Sequence, residues 1–213
     1  MIKYEKAEMP PEIEVPYYSY AEIKNRAYEF LRKYHSSLSL PIPIEEILEF
    51  EFKINIVPLP RLHRDHEIDG FISSDLTTIS VDEFVYESRL GRYRFTLAHE
   101  AGHIILHKKF FKEHVFSTIK GWKEFAQSIS IREYSFLETH ANNFAGLILV
   151  PPTPLLKLFD ESVKAAEEAN FSFKNHIDVI IQYIVENIAK KFNVSREVIM
   201  IRLEKDKLLE RIK

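Results

Sequence analysis

The chain has 213 residues, 46% of them hydrophobic and 29% charged, with a formal net charge of −3. That is enough to bury a core without covalent staples, and the charge gives no general attraction to nucleic acid or an anionic membrane. With no cysteine there is no disulfide, thiolate metal site or thiol nucleophile, so a bound metal has to use His, Asp or Glu.

Residues 1–18 carry Pro10, Pro11 and Pro16 among many charges, and the pattern predicts an extended tail. The segment Met1 to Glu14 lacks the basic and then apolar pattern of a signal peptide. No apolar stretch approaches the roughly 20 residues that a bilayer requires, so a cytoplasmic location without membrane contact is expected.

From Ser19, a plausible N-cap, the residues Tyr20, Ile23, Ala27, Phe30, Leu31 and Tyr34 recur at helical spacing and predict a helix ending near His35. Leu40 to Pro43 breaks it, and Ile44, Ile47 and Leu48 begin a short second helix. Three strands are predicted next: Phe52 to about Pro58, Ile68 to Ser73, and Thr77 to Val81. The last two form a hairpin around Ser73-Ser74-Asp75.

Helical patterns follow at about Glu83 to Lys109, Ile131 to Leu149 and Ile177 to Lys190, with a mixed region from Phe110 to Ser130 in which Gly121-Trp122 suggests a loop. Prolines 151, 152 and 154 interrupt the pattern. The organisation expected is a tail at 1–18, a core at 19–150 and a helical C-terminal region at 151–213.

His99-Glu100-Ala101-Gly102-His103 is an H-E-x-x-H sequence inside a strongly helical stretch. Four residues apart on an α-helix, the two histidines lie one turn above each other and can share one metal ion, which the residue types suggest is Zn²⁺. Glu100 lies beside them, free to act as general base on water that the metal activates. Two histidines and a glutamate can meet on a solvated face by accident. Here they are set among Phe95, Leu97, Ala98, Ile104 and Ile105, where unpartnered histidines are costly.

A catalytic zinc needs a third protein ligand and an open position. His107 continues the same face, but another turn of about 5.4 Å takes it beyond bonding reach. Six residues beyond His103, where a metzincin carries its third histidine, this chain has Lys109. That leaves a later helix containing Glu138-Thr139-His140-Ala141-Asn142. Glu138 is preferred to His140 as ligand, because Asn142 shares its face and could orient a zinc histidine.

Arg94 to His107, followed by Glu138 to Ala145 and Leu147 to Pro151, resembles the ImmA/IrrE family of metallopeptidases, and the resemblance extends over about Ile44 to Val150. It implies a gluzincin-like site with Glu138 as third ligand, and a protein substrate such as a transcriptional repressor cut at a specific site. His140 and Ala101 stand where that family often has Glu and Leu, and neither position is expected to be catalytic. The fold expected is α+β and zincin-like: a small mixed sheet beside the H-E-x-x-H helix, then a helical C-terminal part.

Other signals are weaker. His107, His114, Tyr134 and His140 are all candidates for a donor to the oxyanion, and the sequence does not rank them. His63, Asp65, His66, Glu67 and Asp69 read as a solvated loop rather than a second metal site. Residues 188 to 203 resemble a helix-turn-helix with Ser195 as cap, but their small basic surplus argues against DNA as partner. The rival to an enzyme is a zinc-containing regulatory protein acting through those helices, by protein or DNA contacts. A peptide deformylase would need a cysteine ligand.

Overall fold

A computed structural model of the chain describes residues 14–169 and 173–212. Most of the tail expected at 1–18 lies outside these residues. Its last part, 14–18, is extended and anchored: the Val15 amide donates to Glu133 Oε2 at 2.6 Å.

Ser19 accepts a hydrogen bond from the Glu22 amide while the Glu22 carboxylate accepts from the Ser19 amide. This capping box starts α1 (Tyr20–Tyr34), whose buried stripe of Ile23, Ala27, Phe30 and Leu31 is the one its spacing predicts. A short helix α2 (Ile44–Glu46) widens into a π-turn at Ile47–Glu51.

The sheet has three strands, β1 (Asn55–Leu59), β2 (Gly70–Ile72) and β3 (Thr78–Asp82), in the order β1-β3-β2. β1 runs parallel to β3, and β2 antiparallel to it, so the sheet is mixed. Asp75 closes the β2–β3 hairpin by accepting from the Ser73 hydroxyl and the Thr77 amide. The first strand begins three residues later than its alternation suggests, because Phe52 stacks on Phe30 instead, with ring centroids 5.9 Å apart. A short helix α3 (Leu62–His66) lies between β1 and β2.

The single helix expected over Glu83 to Lys109 is three: α4 (Glu83–Ser88), α5 (Leu90–Leu106) and α6 (Lys108–Glu113). Arg89 and His107 leave helical geometry, with φ of −131° and −118°. Neither position carries a Gly or Pro that would have marked a break. The mixed region also contains α7 (Ile119–Ser128), capped by the Thr118 hydroxyl, with Gly121 and Trp122 inside the helix rather than in a loop.

α8 (Ile131–Leu149) is capped by Ser130 and packs against α5 and α1. The prolines interrupt the chain only briefly, since Pro152 opens α9 (Pro152–Glu168), where a missing amide hydrogen costs nothing. α10 (Phe173–Phe192) and α11 (Arg196–Lys205) follow, then a 3₁₀ turn at Leu208–Ile212. Asn193, at φ 55°, turns the chain between α10 and α11, and Ser195 caps α11 as its position suggests.

The result is an α+β, zincin-like architecture in which a small mixed sheet lies beside α5. Among the described residues no helix is long and apolar enough to cross a membrane.

Candidate active site

α5 is buried along most of its length, with Leu97, Ala98 and Ala101 almost fully enclosed. Arg94 ties it to the chain before α2 by donating to the Ile42 carbonyl at 2.7 Å. Held this way, the helix presents His99 and His103 from adjacent turns, their ring centroids 4.7 Å apart and nearly perpendicular.

The two Nε2 atoms are 3.0 Å apart, and α8 brings Glu138 to the same point, 3.3 Å from His99 Nε2 and 3.8 Å from His103 Nε2. One donor atom from each of the three residues lies within 4.8 Å of the others. Three mutually close lone-pair groups, two imidazoles and a carboxylate, have the chemistry of a cation site with room for a further ligand. Asn142, one turn beyond Glu138, places its Oδ1 2.9 Å from His99 Nδ1. That contact holds the ring with Nε2 turned toward the shared point.

His107 and His140 do not join this group; they stand behind His103. His103 Nδ1 meets His107 Nδ1 at 3.2 Å, His107 Nε2 meets His140 Nδ1 at 3.3 Å, and His140 Nε2 accepts from the Tyr18 amide. Burial, reinforced by the neighbouring His140, holds the His107 pKa down to about 3. Burial and the adjacent histidines likewise hold His103 well below the ordinary range, so both rings stay neutral in the metal-free protein. Burial also lowers His99, but the Glu138 hydrogen bond and charge outweigh it and bring the metal-free group up to about 9.

Glu100 is only 4% exposed yet lines the cleft. Burial pushes its pKa up to about 7, with His99 pulling the other way and Glu138 adding to the rise. In the metal-free protein this carboxyl therefore exchanges its proton near neutrality.

The cleft, about 300 Å³, is bounded by α5, α8, Trp122 of α7 and the edge of the sheet at Gly70 and Ile72. Gly70 permits that edge to lie so near, since an added Cβ would come 2.7 Å from Thr96 Cγ2 and 2.8 Å from the Ser80 carbonyl oxygen. In the ladder Asp69 and Ser73 face β3, with the Asp82 amide donating to the Asp69 carbonyl and the Ser73 amide to the Thr78 carbonyl. The alternation of an antiparallel pair therefore turns the backbone groups of Gly70 and Ile72 to the open side.

Of the four oxyanion-donor candidates, Tyr134 alone lines the cleft. Burial and the nearby Glu138 charge raise its pKa, so its hydroxyl keeps its proton. His114 turns away to the Phe110 carbonyl, 2.8 Å distant. Four of the five loop acids and histidines before β2 are engaged with other groups, His63 and Arg92 with Asp69, Arg61 with Asp65, and Lys123 with His66, while Glu67 lines the cleft. Trp122 and Phe111 complete the lining and went unmarked in the sequence, where an aromatic outside a periodic stripe carries no signal of its own.

The model of the Peptidase_M78 family, described as the IrrE N-terminal-like domain, matches residues 85–204. Among solved structures, a Mycobacterium tuberculosis transcriptional regulator is similar at 17% identity and a TM-score of 0.49. The match covers 85% of this chain and 46% of the regulator, so the chain spans under half that protein's length. A comparison with curated proteins finds no match.

Proposed function

This chain belongs to the Peptidase_M78 family of IrrE N-terminal-like domains, and we propose that it is a zinc-dependent endopeptidase that cuts a regulatory protein, such as a transcriptional repressor, at a specific bond. The observation that carries the reading is the convergence of His99 Nε2, His103 Nε2 and Glu138 on one point beside a buried Glu100.

Those three residues would hold the metal. Zn²⁺ fits two imidazoles and a carboxylate, and when bound it supplies a Lewis acid for the scissile carbonyl and for water. Glu100, buried on the cleft wall one residue from His99, takes the proton of the attacking water and passes it to the leaving amine. Tyr134, protonated and on the cleft wall, donates toward the developing oxyanion. The open edge at Gly70 and Ile72, where the Ile72 amide already faces Glu100, offers its remaining backbone groups to an extended peptide and aligns it along α5.

The test loads the chain and its Glu100→Gln variant with Zn²⁺, verifies equal metal content, and incubates each with repressor proteins from the same genome. One new pair of termini formed by the parent alone supports the reading. Cleavage by both proteins or by neither sinks it, and regulation that survives in cells carrying the variant favours a binding role.

A further inference from the structure

The cleft does not end at the metal-facing residues. Asp69, Phe95 and Asn142 line it and also line a larger groove of about 870 Å³, which continues between α5, α8 and the α10–α11 corner. One wall of this extension is α11, where Val198 and Ile201 offer apolar surface and Ile201 is 43% exposed.

Its cations are not equivalent. Arg92 is paired with Asp69, and the buried Arg202 is satisfied by Asp206 at 2.8 Å and the Tyr20 hydroxyl at 2.7 Å. Lys205 differs. Its ammonium donates to Asn143 Oδ1 and lies 4.8 Å from the centre of the Tyr20 ring, and among the described residues no carboxylate is within ion-pair distance. Burial and the Arg202 charge both lower its pKa, so an incoming anion would relieve a real cost.

Distance links this lysine to the reacting bond. Asn143, which Lys205 contacts, follows Glu138 by five residues on α8, an axial rise of about 7.5 Å and a turn of about 140°, so the two side chains stand on the order of 10–15 Å apart. An extended peptide advances about 3.3 Å per residue, so with side-chain reach the ammonium meets a position roughly three residues from the cut.

We propose that the groove seats the substrate polypeptide on one side of the scissile bond, and that Lys205 selects an Asp or Glu roughly three residues from the cut. The proposal rests on the peptidase reading. Continuity with the cleft favours a peptide over a separate ligand; Asp69, held by Arg92, and Glu197 also line the groove, and the lysine without an ion-pair partner marks where a substrate carboxylate fits.

The experiment incubates the Zn²⁺-loaded full chain, and its Lys205→Met and Lys205→Glu variants, with a proteome-derived peptide mixture, uses Glu100→Gln as the inactive control, and maps the new termini by mass spectrometry. The parent should enrich Asp and Glu about fivefold at one position two to four residues from the cut. Lys205→Met should lose that enrichment and Lys205→Glu should replace it with Lys and Arg. Glu100-dependent cleavage with no acidic preference, or with the same preference in all three proteins, overturns the proposal and leaves the peptidase reading intact. Absence of any Glu100-dependent cleavage removes both. Duplex DNA bound at physiological salt and released by Lys205→Glu, with cleavage preference unmoved, would assign the groove to nucleic acid and overturn it.

Discussion

Gly102 faces Ala141 at the crossing of α5 and α8, so closely that a Cβ on the glycine would lie 2.9 Å from the Ala141 Cα and 3.1 Å from its carbonyl oxygen. The contact is with backbone, which cannot step aside as a flexible side chain would. It sets how near the helix bearing Glu138 comes to the one bearing both histidines. Gly102→Ala gains about 1 kcal/mol of helix propensity, but it forces the helices apart at a strain of about 1–3 kcal/mol. The expected outcome is a lower Tm in chelator and weaker zinc binding, because Glu138 is carried away from His99 and His103. A raised Tm with unchanged zinc affinity would show that the crossing is looser than this contact indicates.

The same helix pair sets the orientation of His99 through Asn142, whose Oδ1 is 2.9 Å from His99 Nδ1. Asn142→Ala should keep the fold and lower zinc affinity by about 10- to 100-fold, the usual cost of losing a partner behind a metal histidine. Competition with a chromophoric chelator measures it. Affinity unchanged from the parent would mean that packing alone holds the ring.

Much of this site is legible in the residues because its parts are local. His99 and His103 share a face by helical period, Glu138 and Asn142 share another, and Ser19, Ser130 and Ser195 mark helix starts through cap chemistry. The breaks at Arg89 and His107 carry no such chemistry, and helical periodicity runs straight through them. The parallel pairing of β1 with β3 depends on a crossover through α3 and β2, which alternation along a strand does not encode. His107 and His140 meet across 33 positions, and Lys205 and Asn143 across 62. Contacts of that kind come from packing, and no spacing rule anticipates them.

Glu100 makes the metal-free protein sensitive to pH in a defined direction. Its folded pKa, about 7, lies above the ordinary 4.5, so the folded state binds its proton more tightly than the unfolded state does. The contribution to stability is complete below about 4.5 and is lost as pH rises through 7. Glu100→Gln removes the ionisation. In chelator, the variant should therefore gain stability over the parent between pH 5 and 8, by on the order of 1–3 kcal/mol at the upper end. Urea melts at several pH values test this, and a parent-minus-variant difference that is flat with pH would contradict it.

Glu138 and His140 stand two residues apart, about 200° around the α8 axis, and the structure separates their surroundings accordingly. Glu138 reaches toward both histidine Nε2 atoms, whereas His140 is buried against His107 and takes the Tyr18 amide hydrogen. If Glu138 completes the metal site, Glu138→Ala leaves two ligands and should lose zinc on dialysis against a mild chelator. His140→Ala removes a ring that touches His107 and not the shared point. Its zinc affinity should fall by no more than about tenfold, the lower end of what a partner behind a ligand contributes. Both variants can be dialysed side by side and their zinc measured against protein. Zinc lost from His140→Ala and kept by Glu138→Ala would make His140 the third ligand in place of Glu138 and would require the His107–His140 pair to move into the cleft when metal binds.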